Sequence, residues 1–224
     1  MVEPRDAARI SLNPIGTPLP LTLAGLTIAS AAVSGSELGW IPKPEHHTLG
    51  WIIVAIPIPL QLLAAWWGFV ARSSAAATGS GILAAAWIAT GLGLIHTPPQ
   101  TGPSHALGLT AGAIGATLLV PAAAELHVGG VLPSAVLTLA SVRFFIECVA
   151  GATHAEGWAD ASGWVGLVVA ASALYAALAL ELEGTTNVAL LPVFRAKLAR
   201  RALEEPFEAQ LAPLRHEPGV RRQL

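Results

Sequence analysis

The chain has 224 residues, 54% of them hydrophobic and only 12% Asp, Glu, Lys or Arg, about half the ~25% charged share of a soluble globular domain, which excludes an ordinary water-soluble fold and with it the soluble enzymes. Its 12 basic and 14 acidic residues leave a net charge of −2, which excludes a general nucleic-acid binder, because phosphate-tracking proteins need a basic excess. A single cysteine, Cys148, excludes a disulfide framework and a cysteine-based zinc site.

The first 17 residues carry Glu3, Arg5, Asp6 and Arg9 and no continuous apolar run, so no cleavable leader is expected and the first span itself directs the chain to the membrane. A bilayer-spanning helix needs ~20 mostly apolar residues, and six such stretches follow. The first covers about 18–34 and gives way to a polar, Pro-rich segment from Ser36-Glu37 to His46-His47. The second covers about 49–70 and ends at Arg72-Ser73-Ser74; the third covers about 75–95 and ends at His96-Thr97-Pro98-Pro99. Pro-Pro cannot continue a helix, so that break is clean. The fourth runs over about 104–124 to a stop at Glu125 through Gly130, the fifth over about 131–152, and the sixth over about 161–182, closing at Glu183-Gly184. A membrane β-barrel would need alternating segments of ~10 residues, and these apolar runs are unbroken at twice that length. The expected fold is therefore all-α: a polytopic membrane protein with six transmembrane helices per protomer. Three parts are predicted: an N-terminal segment 1–17, a transmembrane domain 18–183, and a basic, amphipathic tail 184–224.

Basic residues orient the chain. With both termini cytoplasmic, Arg5, Arg9, Arg72, Arg195, Lys197, Arg200, Arg201, Arg215, Arg221 and Arg222 lie inside and only Lys43 outside, as the positive-inside rule expects. Trp40, Trp51, Trp158 and Trp164 then fall at the outer interface and Trp66 and Trp67 at the inner one, forming aromatic belts.

No phosphate loop, zinc-binding helix or nucleophile elbow is present, so no catalytic residue, cofactor or metal is assigned. His46-His47 is an adjacent pair whose side chains do not share a face, and it is expected to be solvated. Small residues such as Gly108, Gly112, Gly115 and Ala84-Ala85-Ala86 predict close helix packing. Polar groups within spans say more, because hydrocarbon tolerates them only in a bundle interior or along a water path. Gln61 sits beside Pro57 and Pro59, which should kink its helix; it suits either a structural hydrogen bond or a contact on a path. Arg143 and Glu147 stand at i and i+4 on one helical face, either as a self-neutralising pair or as a carboxylate contact.

The sixth span, Gly163-Trp164-Val165-Gly166-Leu167 through Ala171-Ser172-Ala173-Leu174-Tyr175, followed by Leu190-Leu191-Pro192, resembles the last helix of the acetate uptake transporters, also called succinate–acetate permeases. Thr17-Pro18-Leu19-Pro20-Leu21-Thr22-Leu23 is similar to that family's Asn-Pro-Ala-Pro-Leu-Gly-Leu signature, with Thr17 and Thr22 in place of its Asn and central Gly. Gln61 and Trp87 fall where the family has Gln and Trp. The resemblance implies a six-helix protomer in a homohexamer, a separate path in each protomer, and passage of acetate and related carboxylates. It also implies a hydrophobic constriction from the first, third and fifth spans, which carries over to Leu26, Leu83 and Leu139, with leucine replacing two aromatics. Each of these leucines lies eight positions beyond its predicted span start, about 12 Å deep at 1.5 Å per residue, so the three share a depth.

The expected function is a non-enzymatic permease, channel or proton-coupled transporter, for acetate or related short monocarboxylates, multi-pass in a bacterial-type cytoplasmic (inner) membrane. Thr17, Thr22, Gln61, Trp87, Arg143 and Glu147 are the candidate substrate contacts. Expected partners are the small carboxylate with or without H+, the lipid bilayer and identical subunits. The alternative is a membrane scaffold that transports nothing and whose tail binds a partner, although a scaffold has little reason to keep two charges at membrane depth.

Overall fold

The computed structural model describes residues 16–97, 104–186 and 189–196. Its helices are α1 (Leu19–Glu37), α2 (His46–Ala55), α3 (Pro57–Val70), α4 (Ser74–His96), α5 (His105–Val128), α6 (Val131–Thr153) and α7 (Glu156–Thr186), with a 3-10 turn at Lys43–Glu45 before α2. Among the described residues six stretches are long and apolar enough to cross a bilayer, α2 and α3 together making the second. This is an all-α, multi-pass membrane protein. Among the described residues the only β-type pairing is an isolated bridge between Gly130 and Arg195. The predicted spans are all present, with two shifts that matter: α1 runs on to Glu37, and α7 begins at Glu156 rather than near 161.

Local chemistry sets the breaks. Pro57 and Pro59 lack the N–H groups that would bond the carbonyls of Ile53 and Ala55, and the second span breaks at Ile56 (φ −113°, ψ −71°). Ser104 caps α5, its hydroxyl accepting the Leu107 N–H at 3.4 Å. The turn after α5 uses Gly129 at φ +99°, a left-handed conformation that glycine adopts without a Cβ penalty.

The spans form a closed ring. Each packs against its neighbours in sequence, and α7 returns to pack extensively on α1. α5 and α6 make the other extensive interface, zipped by small residues. Gly108 and Gly151 bring the two backbones into contact, and a Cβ on Gly112 would stand 2.8 Å from Cys148 Sγ. The Ser141 hydroxyl donates to the Gly115 carbonyl at 2.6 Å, and that of Ser134 to the Ala122 carbonyl at 2.7 Å. Close approach of this kind stabilises membrane helices, where lipid is as apolar as leucine and burial alone contributes little. Outward-facing side chains are correspondingly apolar: Leu109 and Phe69 are 75% and 69% exposed.

Beyond α7 the chain folds back over one end of the ring. The Tyr175 hydroxyl donates to the Pro192 carbonyl at 2.9 Å, Arg195 pairs with Glu183, and the Ala196 N–H donates to the Gly129 carbonyl at 3.0 Å. The predicted amphipathic helix of the tail and the N-terminal residues 1–15 lie outside the described residues.

Candidate transport path

α1, α4 and α6 meet across the middle of the ring mainly through side chains. At the end where α1, α4 and α6 terminate, a cavity of about 600 Å³ opens between α1, α4, α5, α6 and α7, lined by Ser36, Glu37, Lys43, His46, Glu147 and Ser162 among others. Its deeper wall includes Val33, Ala86 and Phe144. Toward the opposite end a second void of only about 10 Å³ is lined by Thr22, Leu26, Ser80, Leu83 and Leu137, room for about one water. Between the two, Leu26, Ala29, Leu83, Trp87 and Phe144 are all buried. The Trp87 and Phe144 rings lie 5.9 Å apart and help to close the interior.

Leu26 and Leu83, carried over from the family resemblance, are buried together beside the small void. Leu139 is not with them: it is only partly buried and lines neither cavity, and Leu137 stands there instead. Two residues along an α-helix turn a side chain by about 200°, so the matching depth of Leu139 said nothing about its direction. Thr22 is buried and lines the void; its hydroxyl lies 2.6 Å from that of Ser80. Gln61 is buried just beyond the proline break, packs across Gly25, and donates from Nε2 to the Thr22 carbonyl at 3.3 Å. Its Oε1 has no partner among the described residues. Gln61 and Trp87 line neither cavity. Thr17 is exposed at the start of α1, where its Oγ1 accepts the Leu19 N–H at 3.4 Å; it lines neither cavity, although its partner Leu19 borders the small void.

Arg143 is 1% exposed and sits behind the wall of the large cavity. Its Nη2 contacts Glu147 at 2.9 Å, the pair expected from the i, i+4 spacing, and also Glu37 at 3.1 Å. Glu37 in turn accepts the Ser162 hydroxyl at 3.1 Å, and the guanidinium lies 5.8 Å over the Trp87 ring, an orientation that favours a cation. Gly166 makes room: a Cβ there would stand 2.6 Å from Arg143 Nε and would also overlap the Ser34 hydroxyl. All donation to the two carboxylates runs through Nη2, and Nε and Nη1 have no acceptor among the described residues. Two acids and one base share the cluster, and both acids face the cavity while the base does not. Glu37 is the member that sequence reasoning missed. It falls at the edge of a polar segment, 106 residues from Arg143, and only the extra helical turn of α1 brings it to the site.

The architecture has a solved counterpart. The structure of the bacterial acetate channel SatP matches with a TM-score of 0.62 at 18% sequence identity, over 80% of this chain and 98% of that one. The two share a fold. No family model matches the sequence, and no curated protein is detected as a relative from sequence. The shared fold leaves this chain's own polar residues to be read from their surroundings, and the acidic and basic groups at the cavity wall are the part that hydropathy alone does not explain.

Proposed function

We propose that the protein is a permease for acetate or related short monocarboxylates, acting as a channel or with a coupled proton. The observation that carries this reading is a cavity of about 600 Å³ separated by buried side chains from a small leucine-lined void toward the opposite end, in a fold shared with an acetate channel. In this reading Leu26, Leu83 and Leu137 form the constriction. Hydrophobic constrictions gate by dewetting, and a protonated acid or weakly hydrated small anion crosses such a barrier more readily than a strongly hydrated ion. Arg143 then supplies the positive charge behind the cavity wall, while Glu37 and Glu147 moderate it so that an arriving carboxylate is not trapped, since conduction requires release as well as binding.

The large cavity is assigned to the outer side, with both termini cytoplasmic. Among the described residues Arg72 and Arg195 lie at the opposite end of the bundle and Lys43 lies at the cavity, which supports that orientation by the positive-inside rule. Residues 18–183 are the permease body, residues 184–224 its cytoplasmic tail, and the working form is a homohexamer in a bacterial-type cytoplasmic membrane.

Uptake of labelled acetate into proteoliposomes tests the proposal. Uptake above protein-free vesicles, in proportion to reconstituted protein, is expected, and repeating it with and without a proton gradient separates the channel from the coupled form. Uptake no faster than in empty vesicles under both conditions overturns it.

A further inference from the structure

The α5–α6 interface brings two histidines together at the edge of the large cavity. His105 stands three residues before Gly108, and His154 three residues after Gly151. The two helices are joined by the short turn at Gly129-Gly130 and run antiparallel. Gly108 and Gly151 are where their backbones touch, a Cβ on either lying 2.9 or 2.7 Å from the other's Cα. About one turn beyond that contact, toward the same end of the bundle, each helix therefore presents a histidine at the same height. His154 ends α6 in a left-handed conformation, φ +56°, which swings its side chain off the helix axis. The result is two exposed rings at 87° with centroids 4.5 Å apart and their Nε2 atoms 3.0 Å apart.

We propose that His105 and His154 form a two-histidine site for a divalent transition-metal ion of the zinc class at the rim of the large cavity. Two imidazole nitrogens bound tetrahedrally at 2.0–2.1 Å lie about 3.4 Å apart, so the observed separation needs only a few tenths of an ångström to open. Without an ion, two Nε2 atoms at 3.0 Å are in favourable contact only when one carries a hydrogen and the other does not. When a metal binds, the donor ring carries its proton on Nδ1 instead, and both Nε2 lone pairs bond the ion. Imidazole suits Zn2+, Ni2+ and Cu2+ and not the hard alkaline-earth ions. No cluster of three or more ligating side chains occurs among the described residues, so water fills the remaining positions and the ion exchanges readily. His154 lines the cavity, which places the ion's open positions where a small carboxylate could take one of them.

The test is calorimetric titration of tag-free, detergent-solubilised protein with Zn2+ at pH 7.5, with Mg2+ as the comparison ion. One Zn2+ per protomer and no Mg2+ binding is expected. Affinity should fall by about tenfold or more in either His105→Gln or His154→Gln and persist in His127→Gln, at the far end of α5. Both rings are exposed, so the variants should elute as the parent does on size exclusion. The visible spectrum of added Co2+, which reports imidazole coordination, gives a second readout on the same variants. Absence of Zn2+ binding, or binding unchanged in both variants, overturns the proposal. No transport is measured, so failure here leaves the permease reading standing, and failed acetate uptake leaves this site standing.

Discussion

Arg143 offers the most exacting test of how the charged cluster contributes to stability. Its guanidinium is buried and contacts Glu37 and Glu147 at 3.1 and 2.9 Å, while those two side chains keep 16% and 19% exposure to the cavity. Removing one member of a buried ion pair costs ~3–5 kcal/mol, chiefly because the partner's charge is left uncompensated. Here the abandoned carboxylates still reach cavity water, which places Arg143→Met at the lower end, about 3 kcal/mol. At the usual entropy of unfolding for a chain of this length, that lowers the melting temperature by about 6–12 °C. Neutralising the whole cluster behaves differently, because replacing a buried ion triad with neutral groups of similar volume is often neutral or stabilising. The triple variant Glu37→Gln, Arg143→Met, Glu147→Gln should recover at least about 2 kcal/mol of the single variant's loss. Thermal unfolding in detergent, followed by tryptophan fluorescence, measures all three proteins. A single variant within two or three degrees (about 1 kcal/mol) of the parent, or a triple variant no more stable than the single, would refute the reasoning.

The constriction register makes a second prediction: Leu137→Ala and Leu83→Ala should each relax the size selection of proteoliposome uptake, and Leu139→Ala should not. If Leu139→Ala alone changes it, the void beside Leu137 has been given the wrong role. Leu83, fully buried, should also lose ~2–5 kcal/mol as alanine, with Leu139→Ala costing less because the side chain is only partly buried. Gly25→Val should push Gln61 off its bond to the Thr22 carbonyl, because a Cβ on Gly25 would lie 2.8 Å from Gln61 Cγ; a loss of ~1–3 kcal/mol is expected, and an unchanged melting temperature counts against the close packing. Arg143→Met removes the positive charge behind the cavity wall, so the half-saturating acetate concentration should rise severalfold in assembled protein; an unchanged value removes that charge from acetate binding.

The number and positions of the spans, the break at Pro57 and Pro59, and the pairing of Arg143 with Glu147 were legible in the amino-acid sequence. Each rests on local physics: the length of an apolar run against bilayer thickness, a missing N–H, or a spacing within one helix. The partners of those elements were not legible. In a helix that is apolar nearly all round, no polar face tells which side turns inward, so depth could be counted while azimuth could not, and Leu139 was placed where Leu137 stands. Glu37 and Arg143, like His105 and His154, are joined across helices by glycine contacts, Gly166 beside Arg143 in one case and Gly108 against Gly151 in the other. The sequence by itself determined how many of the described helices are long and apolar enough to cross a membrane and how far along each helix a residue stands. Only the tertiary structure decided which side chains meet at a given depth, because helix rotation in lipid follows from packing between neighbours and not from burial away from water.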